Sequence, residues 1–163
     1  MIIKLKNKDK LIIDEFVFKC TIGKGGITNN KKEGDLKTPI GKYGIGDLYY
    51  RKDRIKLNSL SIKKKNIKKN YVWCNDVKNK KYNKQTIKSN YFKFEKLYRK
   101  DHKYDLFIPI KYNYKKIIPG KGSAIFFHIT KNYKKTAGCI AVSKNDFLII
   151  LKLINKNSKF IIS

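Results

Sequence analysis

The chain has 163 residues, 41% of them hydrophobic, with eleven tyrosines, nine phenylalanines and one tryptophan. It is therefore large enough to bury its own core as one domain, and too apolar to be a disordered polyelectrolyte. Forty basic residues against twelve acidic ones give a formal charge of +28, which favours non-specific contact with polyanions through the lysines. Only Arg51, Arg54 and Arg99 are arginine. That scarcity argues against specific nucleic-acid recognition, which relies on the planar guanidinium.

Taken in chain order, residues 2–5 and 11–22 are rich in β-branched and aromatic side chains and read as strands. Asn7-Lys8-Asp9-Lys10 reads as the turn between them. The opening MIIKLKNKDKLIID breaks its apolar pairs with charge and does not read as a signal peptide. No apolar run reaches membrane-spanning length. Gly23, Gly25 and Gly26 fit neither the dinucleotide fingerprint nor the phosphate loop, so no nucleotide site is expected. Residues 51–100 are lysine-rich and show no clear periodicity; Trp73 reads as a packed anchor. Residues 103–110 and 123–129 look like core strands, joined through a turn at Pro119-Gly120-Lys121-Gly122. Ser143 is a good N-cap with Asp146 three residues on, and it starts an apolar-faced helix to about residue 155; residues 160–162 form a final strand. The fold class is mainly β with one or two helices, in a single domain over residues 1–163.

Cys20, Cys74 and Cys139 are spaced too widely and irregularly for a zinc site or a disulfide framework. The stretch HITKNYKKTAGCIAVS places His128 eleven positions before Cys139. A thiol attacks carbonyls only once its proton is taken, and an imidazole within reach does this and later protonates a leaving amine. Small residues before the cysteine let a substrate carbonyl approach backbone N–H donors. A cysteine in Gly-Cys-Ile-Ala-Val is more often a core residue near an unrelated histidine than a catalyst, and spacing alone says nothing about distance in space. His102 reads as structural or surface.

The segments around the pair carry more. His128 followed by Thr136-Ala137-Gly138-Cys139-Ile140 resembles the signature of the YkuD-like L,D-transpeptidase family. EGDLKTPIGKYGIG (33–46) is similar to that family's Thr-Pro-x-Gly-x-Tyr segment. VWCNDVKNKKYN (72–83), DHKYD (101–105) and PGKGSAIFFHI (119–129) resemble further blocks of a bacterial subgroup.

The resemblance implies a β-sandwich-like catalytic domain that forms a cysteine acyl-enzyme with peptidoglycan stem peptides. Cys139 would be the nucleophile and His128 its base, with backbone N–H groups near Gly138 and Cys139 as the oxyanion hole. An amine of a second stem would resolve the thioester; water instead would make a carboxypeptidase, endopeptidase or amidase. No metal or cofactor is implied, the protein is expected to be a monomer, and the chemistry belongs in the cell envelope or periplasm. A non-enzymatic binder of anionic polymer is the competing reading.

By the same resemblance Thr136, Ala137, Thr38, Pro39, Gly41 and Tyr43 would border the substrate, although a turn entering a strand explains the Thr-Pro-x-Gly segment equally well. Trp73 and Asp76 would flank the site, against the plainer reading of a packed tryptophan and a turn aspartate. Two departures stand out: Ala137 occupies a place where many members carry a second histidine, and Ala141-Val142 follow where many carry arginine or asparagine.

Overall fold

The computed structural model describes residues 1–163. Its strands are β1 (Ile2–Lys6), β2 (Lys10–Ile13), β3 (Phe16–Thr21), β4 (Ile27–Thr28), β5 (Thr38–Pro39), β6 (Gly41–Gly44), β7 (Leu48–Tyr50) and β8 (Lys64–Asn66). There follow β9 (Tyr71–Cys74), β10 (Gln85–Ile87), β11 (Phe94–Lys96), β12 (Leu106–Pro109), β13 (Phe126–Ile129) and β14 (Ile140–Val142). The helix α1 (Lys144–Leu153) and a last strand β15 (Lys159–Ile162) complete the chain.

Ten strands form one mixed sheet in the order β6-β15-β1-β2-β3-β14-β13-β12-β7-β8. A three-stranded sheet, β10-β9-β11, and the short β4-β5 pair stand apart from it. The fold is mainly β with one helix, as the sequence suggests. The expected strand over residues 11–22 is two strands, β2 and β3, paired as a hairpin with Ile13 opposite Phe16. Asp14 takes a left-handed φ of 50°, a conformation that aspartate tolerates in turns, so a locally apolar run reverses without glycine.

Alternation along β13 divides the core in two. Phe127 points towards α1, where it stacks on Phe147 with ring centroids 4.6 Å apart. That face joins Ile3, Leu11, Ile108, Ile150 and Phe160 in the main core. Phe126 points the other way, into a smaller cluster with Tyr49, Trp73, Tyr104, Phe107 and Cys139. Trp73, on β9, meets Phe126 edge-on at 5.0 Å, which seats the three-stranded sheet on the large one. The aromatic layer between the sheets holds Cys139 and, through Tyr104, meets His128.

Ser143 caps α1 by accepting the Asp146 N–H at 3.1 Å, which satisfies one of the free donors of the first turn. The helix ends at Leu153, with Ile154 extended. Its burial of Phe147, Ile150 and Leu151 fixes it behind β13.

Candidate active site

β13 and β14 are parallel neighbours, with Phe127 opposite Ile140 and His128 opposite Ala141. A parallel pair requires the connection to travel back along the strand it has left, and residues 130–139 do so. The return leaves Cys139 beside Phe126 at the start of β13, where the Phe126 N–H donates to Sγ at 3.3 Å. Cys139 and His128 are thus diagonal neighbours on one face. The small Ala141 lies directly opposite the imidazole.

The Cys139 thiol donates to the Ala124 carbonyl at 3.2 Å and makes no hydrogen bond to His128. Burial pushes the thiol up to about 12, with the Phe126 N–H acting in the opposite direction. His128 is held down at about 4, mainly by burial and further by Lys103 and Arg99 nearby. Both groups are neutral at rest. His128 Nδ1 lies 2.8 Å from the Ile129 carbonyl. A carbonyl only accepts, so Nδ1 carries the proton and Nε2 is left as a free base.

The turn before Cys139 is fixed from both sides. Thr136 Oγ1 accepts the Gly138 N–H at 3.1 Å and donates to the Cys139 carbonyl at 2.6 Å. Thr38 Oγ1 donates to the Gly138 carbonyl at 2.9 Å and accepts the Gly23 N–H at 3.0 Å. Gly138 has φ 136°, and a Cβ there would come within 2.8 Å of the Lys37 carbonyl; only glycine fits. The Gly138 N–H is therefore already engaged, whereas the Cys139 N–H donates to no protein group.

Cys139 and His128 open on a cleft of about 370 Å³. Lys31, Arg99, Lys103, Lys131, Lys134 and Lys135 line it, against Glu33 and Glu95, so it favours ligands carrying carboxylates. Arg99 is committed to the wall. Its guanidinium makes paired bonds to Asp101 at 2.9 and 2.6 Å and lies 5.1 Å from the centre of the Tyr104 ring. Tyr104 meets His128 edge-on at 5.2 Å and donates its hydroxyl to Glu95 at 3.0 Å.

Of the residues singled out in sequence, Thr136, Ala137, Cys139 and His128 line this cleft. Thr38 is fully buried and reaches the site only through Gly138. Pro39 is buried on β5. Gly41 and Tyr43 lie on the sheet-edge strand β6, and Tyr43 packs edge-on against Tyr112. Trp73 is buried and donates Nε1–H to Asn83 at 2.9 Å. Asp76 accepts the Lys78 and Lys93 N–H groups in a turn beside an adjoining groove. His102 is solvent-exposed and pairs with Asp105 at 2.7 Å.

Sequence reading did not pick out Asn75, Glu95, Tyr104, Ser123 or Thr130, all of which line the cleft. Thr130 carries a legible signal, two residues beyond His128 and so on the same side of an extended chain. Tyr104 lies within the DHKYD block, of which only His102 is singled out in sequence; Glu95 carries no signal.

Cys139, just ahead of β14, and His128, on its parallel neighbour β13, are buried and neutral beneath a cationic cleft, an arrangement suited to thiol attack on a carbonyl. The sequence matches the L,D-transpeptidase catalytic domain (YkuD) over residues 4–162, and the chain belongs to that family. No curated protein matches it. Among solved structures it is similar to the helical cell shape determining protein Pgp2 from Campylobacter jejuni, at 18% identity and a TM-score of 0.52. The similarity covers 99% of this chain and 46% of that one, so the chain spans less than half of Pgp2.

Proposed function

We propose that the protein is a peptidoglycan L,D-transpeptidase that forms a thioester at Cys139. The observation that carries this reading is the His128 tautomer. With Nδ1–H held by the Ile129 carbonyl, Nε2 is the unprotonated nitrogen of a cleft-lining histidine that is neutral above about pH 4.

A stem-peptide amide enters the cleft with its carboxylates towards the lysine rim. The sulfur rotates from the Ala124 carbonyl to His128, and its proton passes to Nε2 as the S–C bond forms. The charge that develops on the carbonyl oxygen is met by the free Cys139 N–H, the role of an oxyanion-hole donor. The C–N bond then breaks, and Nε2–H gives its proton to the departing amine. An amine of a second stem attacks the thioester and loses a proton to Nε2; the C–S bond breaks, and Nε2–H returns that proton to the sulfur, restoring the thiol and the neutral imidazole. Protons and one acyl group balance throughout.

The family acts on peptidoglycan, and the role in helical cell shape named for Pgp2 makes cell shape the physiological expectation for this chain. The cationic cleft suits stems with free carboxylates.

The test is purified muropeptides incubated with wild type, Cys139→Ala and His128→Ala, followed by mass spectrometry. Cross-linked dimers and a Cys139-linked acyl adduct in wild type alone support the proposal. Trimmed monomers in place of dimers mean that water resolves the thioester and the enzyme is a hydrolase. Product formation by Cys139→Ala overturns the reading altogether.

A further inference from the structure

Buried polar side-chain atoms are almost always hydrogen-bonded, and an orphan costs stability in the free protein. This protein has four: Thr21 Oγ1, Asn75 Oδ1, Ser123 Oγ and Thr130 Oγ1. Three of the four, those of Asn75, Ser123 and Thr130, belong to residues lining the cleft that holds Cys139.

The three residues come from separate parts of the chain and meet at the cleft that Cys139 also lines. Asn75 follows directly on β9 of the small sheet. Ser123 precedes Ala124, whose carbonyl accepts the thiol hydrogen bond. It is 8% exposed, and it lies near the Tyr82 hydroxyl, whose pKa burial raises and Ser123 draws down, but outside hydrogen-bond geometry; that hydroxyl is engaged with Glu33 and the Gly122 N–H. Thr130 lies just past β13, two residues from His128.

We infer that Asn75, Ser123 and Thr130 are substrate-binding residues that hold an extended peptide backbone across Cys139. Asn75 Oδ1 can only accept, so it takes an N–H. The two hydroxyls can donate, so they take carbonyl or carboxylate oxygens. A peptide offers both kinds of group in alternation, which a phosphate does not. Its carboxylates then meet the lysine rim already described. This inference rests on the acyl-transfer reading above and assigns residues that determine which peptide is accepted.

The experiment compares Thr130→Val, Ser123→Ala, Asn75→Ala and Asn75→Asp with wild type. It measures kcat/KM on muropeptides, thermal midpoint, and the rate of iodoacetamide capture at Cys139 read by peptide mass spectrometry. Each hydroxyl deletion should lower kcat/KM by about tenfold, the value of one well-placed hydrogen bond. The thermal midpoint should stay or rise, because an orphaned group has been removed from the free protein. Asn75→Ala should lose as much, whereas Asn75→Asp, which keeps an acceptor in place, should recover most of it.

Iodoacetamide capture should be unchanged, because the reagent has no peptide backbone. A kcat/KM within twofold of wild type in Thr130→Val and Ser123→Ala overturns the inference, as does a lowered thermal midpoint, which marks a structural role. Neither result touches the acyl-transfer reading, which stands or falls with Cys139→Ala.

Discussion

The Cys139 sulfur is 3.2 Å from the Ala124 carbonyl oxygen and donates its proton there, away from His128. The resting site therefore holds a thiol and a neutral imidazole, not a preformed thiolate–imidazolium pair. Burial imposes this state, because two unsolvated ions in the aromatic layer would cost more than their attraction returns. On the proposed acyl-transfer reading, activation accompanies substrate entry, when a carbonyl carbon offers the sulfur a partner.

The pH dependence of kcat/KM follows from that state. The base form of His128 is lost only as pH falls through about 4, and the thiol keeps its proton up to about 12. The profile should rise through about pH 4 and then lie flat across neutrality, with no limb near the ordinary histidine value of about 6.5. Alkylation of Cys139 by iodoacetamide should by contrast be slow at pH 8 and climb steadily above it. A kinetic limb between pH 6 and 7 removed by His128→Gln would contradict this assignment.

Stability should carry the same signature. The folded-state pKa of His128 lies below its unfolded value of about 6.5, so between 6.5 and 4 the unfolded chain binds a proton that the folded protein excludes. The contribution is complete above pH 6.5 and is lost as pH falls towards 4, up to about 3 kcal/mol for a shift of this size. Urea denaturation of wild type and His128→Gln at pH 7, 5.5 and 4.5 checks the sign. Wild type should lose more stability than the variant over that interval.

Thr38 should matter more to the site than its distance in sequence suggests. Its hydroxyl joins the Gly23 N–H to the Gly138 carbonyl, with all three groups buried. Thr38→Val leaves both backbone groups unpaired and should destabilise the fold by about 2–4 kcal/mol, with loss of turnover. Thr38→Ser keeps the hydroxyl and should retain most of both. Chemical denaturation and muropeptide turnover measured on the two variants provide the check.

The sequence made His128 and Cys139 legible because the alternation of Phe126-Phe127-His128 and the Thr-Ala-Gly-Cys turn are local patterns. The helix after Ser143 was legible for the same reason, since its cap lies three residues from its partner. Residues 51–100 were not. The β10-β9-β11 sheet is made of three- and four-residue strands whose apolar side chains are too few to show a period, and it is held by the buried face of Trp73 rather than by its own pattern. Thr38 shows the other limit: the Thr-Pro-x-Gly segment suggested a cleft wall, but a bond across 100 positions fixes its role. Gly41 and Tyr43, in the same segment, were carried by the strand to the far edge of the large sheet.

Asn83 offers the sharpest separation between holding the fold and tuning the sulfur. It is buried, and its Oδ1 accepts Trp73 Nε1–H at 2.9 Å and the Ala124 N–H at 3.0 Å. Its Nδ2 donates to the Asn113 carbonyl at 2.7 Å. Through the first pair it holds Ala124 in a left-handed conformation, φ 52°, which alanine adopts only at a cost. That conformation points the Ala124 carbonyl at the Cys139 thiol. Asn83→Ala should therefore destabilise the protein by about 2–4 kcal/mol, as expected for buried partners left unpaired. It should also free the thiol from the carbonyl that stabilises its protonated form. Iodoacetamide capture of Cys139 at pH 8 should then rise severalfold while muropeptide turnover falls, because the sulfur is more acidic but no longer aimed. Parallel loss of capture and turnover would instead mean that Asn83 acts on the fold alone.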